Sequence, residues 1–222
     1  MEQDLALRLS RQLKISLEQV VREHWEIVIL KGIFESPAGK FLIFKGGTAL
    51  RLAYQSPRFS EDLDFLITED VLRGQFNSFV RKFISPYPVL TVTDLKEKHF
   101  TYLAEIKVSV TYLSIPFRIK IEISKRADRD YQKRLTLLSS PASPLQVLGQ
   151  VATLDQIYQD KKACIRERTK SRDLFDLWYI SQKLSLPFVP EKHSIPRKEL
   201  LRDLRKYLPR DFWKVIDELA AK

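Results

Sequence analysis

Cysteine and histidine are scarce: Cys164 is the single thiol, and there are three His in 222 residues. A lone thiol excludes an internal disulfide, and a reducing, cytoplasmic setting is expected. The same scarcity argues against a structural zinc site built from Cys and His. Long hydrophobic runs are missing too. No stretch approaches the roughly 18 apolar residues of a membrane-spanning helix, so no membrane association is expected. The opening Met1-Glu2-Gln3-Asp4 lacks the basic start and apolar stretch of a secretory signal. Acidic residues are the minority charge, 28 Asp and Glu against 38 Lys and Arg, a net charge of +10. That excess suits a polyanionic partner such as nucleic acid, or simply a solvated basic surface. An apolar share of 44% marks an ordinary globular chain, long enough for one large domain or two small ones.

Leu5, Leu9 and Leu13 recur at helical spacing and predict a short amphipathic helix over 4–14. Ser16-Leu17-Glu18-Gln19 is a capping-box pattern, opening a helix to about Phe34. Ser36-Pro37-Ala38-Gly39 stops it. Phe41–Phe44 reads as a buried strand, Thr48–Tyr54 as a helix, Asp62–Ile67 as a strand and Glu69–Ile84 as a helix. Strands are expected over Val89–Leu95, Phe100–Leu113 and Pro116–Ser124. In the last, Phe117, Ile119, Ile121 and Ile123 alternate with Arg118, Lys120, Glu122 and Ser124. Ser139-Ser140-Pro141-Ala142-Ser143-Pro144 is the strongest linker signal. Beyond it the pattern is helical over roughly 154–168, 171–183, 197–206 and 210–221.

The chemistry concentrates between Lys45 and Phe65. Two adjacent glycines after a buried strand let the backbone turn tightly and approach a phosphate. The helix that follows offers free N–H groups and a positive dipole end. Thr48 could contact phosphate or cap that helix. Asp62 and Asp64, two apart on a strand, send both carboxylates to one face, with Leu63 and Phe65 turned to the core. Neighbouring carboxylates repel, and a divalent cation relieves the repulsion by taking both as ligands. Glu122, on the polar face of a later strand, is the natural third carboxylate. Each element alone has a plain structural explanation: a turn, a solvated edge, a surface Glu. Their order, strand, Gly-Gly-Thr, helix, Asp-x-Asp strand, favours the catalytic reading. Ser60 either lies near the metals or caps the turn.

Lys45-Gly46-Gly47-Thr48-Ala49-Leu50 followed by Ser60-Glu61-Asp62-Leu63-Asp64-Phe65 resembles the AbiEii/AbiGii toxin family of polymerase-β-like nucleotidyltransferases. Gly47 and Asp62 stand 15 positions apart, close to the family's usual gap. The resemblance resumes with a helical lysine, Lys161 or its neighbour Lys162, and with Arg172-Asp173-Leu174-Phe175-Asp176. It spans roughly residues 20–182. It implies an α+β fold, a nucleotidyltransferase-type mixed β-sheet core with flanking helices, followed by a C-terminal helical bundle. The expected division is a core with N-terminal helices over 1–138 and a helical domain over 145–222. It further implies transfer of a nucleoside monophosphate from an NTP with Mg2+ or Mn2+. RNA, in some relatives the 3′ end of tRNA, would be the acceptor, and an antitoxin the cognate partner.

The residues of the second block support it on their own. Asp173 and Asp176 lie near one face of a helix, and the short link Thr169-Lys170-Ser171 would fold it back antiparallel, bringing Lys161 close to Asp176. Lys161 is expected on triphosphate oxygens. Asp176 would orient that lysine or the acceptor, or it is an ordinary buried ion pair. The catalytic set is thus Asp62, Asp64, Glu122, Lys161 and Asp176, the first three holding metal. Lys45, Gly46, Gly47, Thr48, Ser60 and Lys161 form the nucleotide-binding set. Lys162, Arg166, Arg168 and Arg172 make a candidate track for an RNA backbone, or a solvated helix face. Arg197, Lys198, Arg202, Arg205 and Lys206 make a weaker second basic surface. Tyr87, Tyr102 and Tyr112 could stack on bases or pack within strands. His24, His99 and His193 do not cluster and receive no role. Two other functions fit the same residues: a nucleotidyltransferase acting on a protein side chain, and a non-catalytic nucleotide- or RNA-binding module.

Overall fold

The computed structural model describes residues 1–126, 130–168, 170–188 and 195–220. Two helices lead. Helix α1 (Gln3–Leu13) closes at Lys14 in the left-handed conformation. Helix α2 (Leu17–Phe34) begins where the Ser16 hydroxyl accepts the Gln19 N–H, the cap announced by the Ser-Leu-Glu-Gln pattern. Val20, Val21, Ile27, Leu30 and Ile33 bury α2 on most of its circumference, so it runs inside the core and not over its surface.

The middle of the chain runs β1 (Leu42–Lys45), α3 (Gly46–Tyr54), β2 (Asp62–Ile67), α4 (Phe76–Ile84), β3 (Leu90–Glu97), β4 (Thr101–Val108), β5 (Phe117–Ser124), β6 (Lys133–Ser140) and β7 (Ser143–Ala152). One seven-stranded sheet takes them all, in the order β3-β4-β5-β2-β1-β7-β6. β1 pairs antiparallel with β2 and parallel with β7, and β2 pairs parallel with β5, so the sheet is mixed. The β5 alternation holds: Phe117, Ile119, Ile121 and Ile123 are buried, and the intervening residues are not. Helices α5 (Leu154–Glu167), α6 (Ser171–Leu184), α7 (Arg197–Arg205) and α8 (Trp213–Ala220) complete the α+β architecture.

Three sequence expectations change. The Ser139–Pro144 run is not a linker: it lies at the tip of the β6–β7 hairpin, in which Ser140 pairs with Ser143. The sheet therefore continues to Ala152, and the helical part opens at Leu154. Helix α4 starts at Phe76 and not at Glu69, because the chain first turns through Gly74 at φ 68. Strand β4 ends at Val108, short of Leu113.

The helical part is fastened to the loop before β2. The Phe59 N–H donates to the Tyr207 carbonyl at 2.8 Å. Lys206 and the Tyr207 hydroxyl both donate to the Glu61 carboxylate at 2.7 Å. Residues of α5 and α6 face those of β1, β2 and β5 across a cleft.

Candidate active site

The cleft has a volume of about 470 Å³. Its floor begins where β1 passes into α3. Gly46 has φ 81, a conformation side chains avoid, and a Cβ there would stand 2.6 Å from Asp64 Oδ2. A Cβ on Gly47 would stand 2.3 Å from Arg58 Nη2. Gly46 therefore requires glycine, and a side chain at Gly47 would have to displace the buried Arg58. Lys45, at the start of α3, gives no side-chain cap, and Gly46 and Gly47 line the cleft. The first N–H groups of α3 and its positive end are thus open to an anion. Thr48 neither faces phosphate nor caps its own helix: its buried hydroxyl donates to the Asp62 carbonyl at 2.6 Å and ties α3 to β2.

Strand register sets the acidic side. Lys45 pairs with Asp64, and Asp64 pairs with Glu122, so the three stand in one row across β1, β2 and β5. Asp62 pairs with Lys120 in the next same-face row. Glu122 is therefore on the same side of the sheet as the two aspartates. Burial pushes the Asp64 carboxyl up to about 6, with help from the Asp62 and Glu122 charges and against the pull of Lys45 and Lys161. Glu122 itself is turned to Lys120, 2.5 Å away. Among the described residues no three Asp, Glu, His or Cys side chains stand arranged to hold a metal ion. The donors nevertheless fit one. Mg2+ needs only one or two carboxylates beside substrate oxygens and water, and Asp62 and Asp64 supply a crowded pair whose repulsion a cation would relieve.

The opposite wall is a buried ion network. Lys161 Nζ is 2.7 Å from Asp173 Oδ1 and 2.6 Å from Asp176 Oδ2. Lys162 points elsewhere, toward the Tyr158 ring. Arg58, to which the sequence assigned no role, donates from Nε and Nη2 to Asp176 at 2.7 and 2.8 Å and from Nη1 to the Phe59 carbonyl at 2.9 Å. Its partner lies 118 positions downstream, and Arg58 belongs to no periodic element, so only its place four residues before Asp62 hinted at it. Burial alone would raise the Asp176 carboxyl, but Arg58 and Lys161 outweigh it and hold the group below its ordinary range. Lys161 is likewise buried, and Asp176 and Asp173 hold it firmly charged. Asp160 is a second residue that sequence reasoning missed. It accepts the Tyr131 hydroxyl at 2.5 Å and stands 3.9 Å from Lys45, on the cleft wall.

A family model described as "Nucleotidyl transferase AbiEii toxin, Type IV TA system" matches residues 28–217. The chain belongs to the AbiEii nucleotidyltransferase toxin family. It is an NTP-using transferase toxin. No curated protein sequence matches it. Among solved structures, JHP933 from Helicobacter pylori is similar over 93% of this chain and 79% of its own, at 24% identity and a TM-score of 0.59. MenT4, a nucleotidyltransferase toxin from Mycobacterium tuberculosis H37Rv, is similar over 91% of this chain and 68% of its own, at 18% identity and a TM-score of 0.61. At such identities the likeness shows a shared fold.

Within this AbiEii chain the expected basic track divides. Arg168 and Arg172 line the cleft, and Lys162 and Arg166 do not. Arg168 Nε is 3.6 Å from Asp173 Oδ2, extending the ion network to the cleft mouth. Ser60 lines the cleft beside Gly47. The tyrosines considered for base stacking are committed elsewhere. Tyr102 is fully buried with its hydroxyl on Asp70, Tyr112 donates to the Met1 carbonyl, and Tyr87 packs edge-on against Trp25. Thr169 and His193 lie outside the described residues. Among the described residues no helix is long and apolar enough to cross a membrane.

Proposed function

We propose that this AbiEii enzyme moves a nucleoside monophosphate from an NTP to the 3′ end of an RNA, with tRNA the leading acceptor, in the presence of Mg2+ or Mn2+. The observation that carries the reading is the row Lys45–Asp64–Glu122 facing Lys161 across one cleft, with the Gly46–Gly47 turn between them. The free N–H groups of α3, Lys45 and Lys161 suit the β- and γ-phosphates, where leaving pyrophosphate gathers charge. Asp62 and Asp64 would hold the metal, joined by Glu122 once it leaves Lys120. Bound there, such an ion supplies Lewis-acid stabilisation of the charge that builds on the phosphate oxygens. Asp176 and Arg58 hold Lys161 in place and keep it charged. Arg168 and Arg172 at the mouth, with a net charge of +10, suit an incoming polyanion. Membership in a type IV toxin–antitoxin family supports a cognate antitoxin and action in the cytoplasm.

The test incubates the full chain with each of four labelled triphosphates and either total RNA, a cognate partner protein or both, with Mg2+ or with a chelator. Label entering RNA only when the metal is present is the expected result. Label confined to a partner protein would overturn the RNA acceptor, and labelling undiminished by chelator would overturn the metal.

A further inference from the structure

Phe100 is half exposed, at 50%, unlike the aromatic side chains that fill the core. Its surroundings are not those of a stray surface Phe. The His99 ring meets it edge-on with centroids 4.3 Å apart. The Arg126 guanidinium lies 4.5 Å from its ring centroid. Arg126 also lines the active cleft, so the guanidinium that covers Phe100 links it to that cleft from one residue before β4. Phe100 also borders a hollow of about 700 Å³ of mixed charge, where Lys98 and His99 stand beside the ion pairs Lys125–Glu97 and Arg73–Asp70.

Strand register places this aromatic relative to the chemistry. Leu103 on β4 pairs with Glu122, and Thr101 pairs with Ser124. The Phe100 carbonyl then accepts the Lys125 N–H at 2.9 Å, one position past the end of the ladder. Phe100 is therefore about 10 Å along the strand from the Glu122 row, the scale of a nucleotide joined to the reacting one. The sheet order β4-β5-β2-β1 puts Phe100 and the Gly46–Gly47 turn on opposite sides of the carboxylates. Phosphoryl transfer runs in line, so the acceptor enters from the side away from the departing pyrophosphate. Pyrophosphate belongs with the glycine turn and Lys161, and the acceptor belongs on the Phe100 side.

We infer that Phe100, braced by His99 and Arg126, is a stacking platform for a nucleobase of the acceptor strand near its reacting end. An exposed ring beside cations is the composition that single-stranded nucleic acid favours: the ring takes a base face and the cations take the backbone. This rests on the RNA-acceptor reading above, but binding tests it separately from turnover.

The experiment measures binding of a short fluorescein-labelled single-stranded RNA to the full chain by anisotropy, for wild type, Phe100→Ala, Phe100→Leu and Phe100→Tyr. Phe100→Ala should weaken binding roughly ten-fold, Phe100→Leu should recover little of the loss, and Phe100→Tyr most of it. Incorporation assays should show a matching rise in the RNA KM of Phe100→Ala, with the NTP KM unchanged. Equal RNA affinity in all four proteins, or no RNA binding by wild type, overturns the platform. So does full recovery by Phe100→Leu, which would indicate plain apolar contact, or a rise confined to the NTP KM, which would assign the ring to the substrate base. RNA binding that depends on Phe100 without any labelling of RNA would leave the platform standing and overturn the acceptor reading alone.

Discussion

The two walls of the cleft hold buried charge in opposite ways. On the sheet, Asp62, Asp64 and Glu122 crowd like charges together, and Asp64 is pushed up to about 6. On the helices, Asp176 is fully buried where Asp64 is partly so, yet two cations hold its carboxyl below the ordinary range. Burial penalises both carboxylates, and the neighbours decide the sign. The helix wall is largely balanced within the protein: Arg58 and Lys161 hold Asp176 from both sides, Lys161 also holds Asp173 Oδ1, and Asp173 Oδ2 is left buried without a hydrogen bond. The sheet wall is unfinished, and what would complete it is a cation from outside.

The largest effect should come from breaking the sheet wall. Asp64→Asn should lower nucleotide incorporation at least about a thousand-fold, because metal ligation stabilises transition-state charge by several kcal/mol. The same substitution should raise the melting temperature of the metal-free protein at neutral pH by a few degrees, about 2–6 °C. The sign follows from linkage. The Asp64 pKa is raised from 3.8 to about 6, so its contribution to stability is full below about 4 and is lost as pH rises through about 6. Calorimetry of the metal-free wild type and variant across that range checks it. A variant less stable than wild type at neutral pH would remove the contrast between the walls.

Breaking the helix wall should act in the other direction. Asp176→Asn leaves Arg58 and Lys161 buried and short of a partner, a loss of about 3–5 kcal/mol. Denaturant melts should show it. The pH slope is also opposite: a depressed carboxyl stabilises above its unfolded pKa, and the stability is lost as pH falls. Acid should therefore remove more stability from wild type than from Asp176→Asn. Equal acid sensitivity of the two proteins would count against the network.

Smaller effects sharpen the comparison. Lys161→Met should raise the NTP KM by about ten- to a hundred-fold, with the RNA KM little changed. Lys162→Met, two-sided as the sequence left the choice, should stay within about two-fold of wild type. Smallest is Arg172→Ala. It should weaken RNA binding a few-fold and flatten the log–log salt dependence by about 0.7, as expected for one phosphate contact to a single strand. A salt slope identical to wild type would remove Arg172 from the acceptor path.

Particular residues show what could be read early. The strand, Gly-Gly turn, helix and Asp-x-Asp strand follow one another between Leu42 and Ile67, and local periodicity sets which way those side chains face. The Ser16 cap and the β5 alternation are legible for the same reason. The β6–β7 hairpin was not, because Ser139-Ser140-Pro141-Ala142-Ser143-Pro144 has a linker's composition, and whether such a stretch separates domains or turns a hairpin depends on the strand it pairs with. Strand β7 pairs with β1, far upstream.

By itself, then, the sequence determined the local pattern: two adjacent glycines between a strand and a helix, two carboxylates on one strand face, and a lysine and two aspartates on consecutive helices. Tertiary structure alone decided which of these groups are neutralised and which are left in conflict. It brought Arg58 to Asp176, chose Lys161 over Lys162, turned Thr48 inward, and aligned Glu122 with Asp64. Charge balance at a buried site is set by distances of a few ångströms between groups a hundred residues apart, and no local pattern encodes those distances.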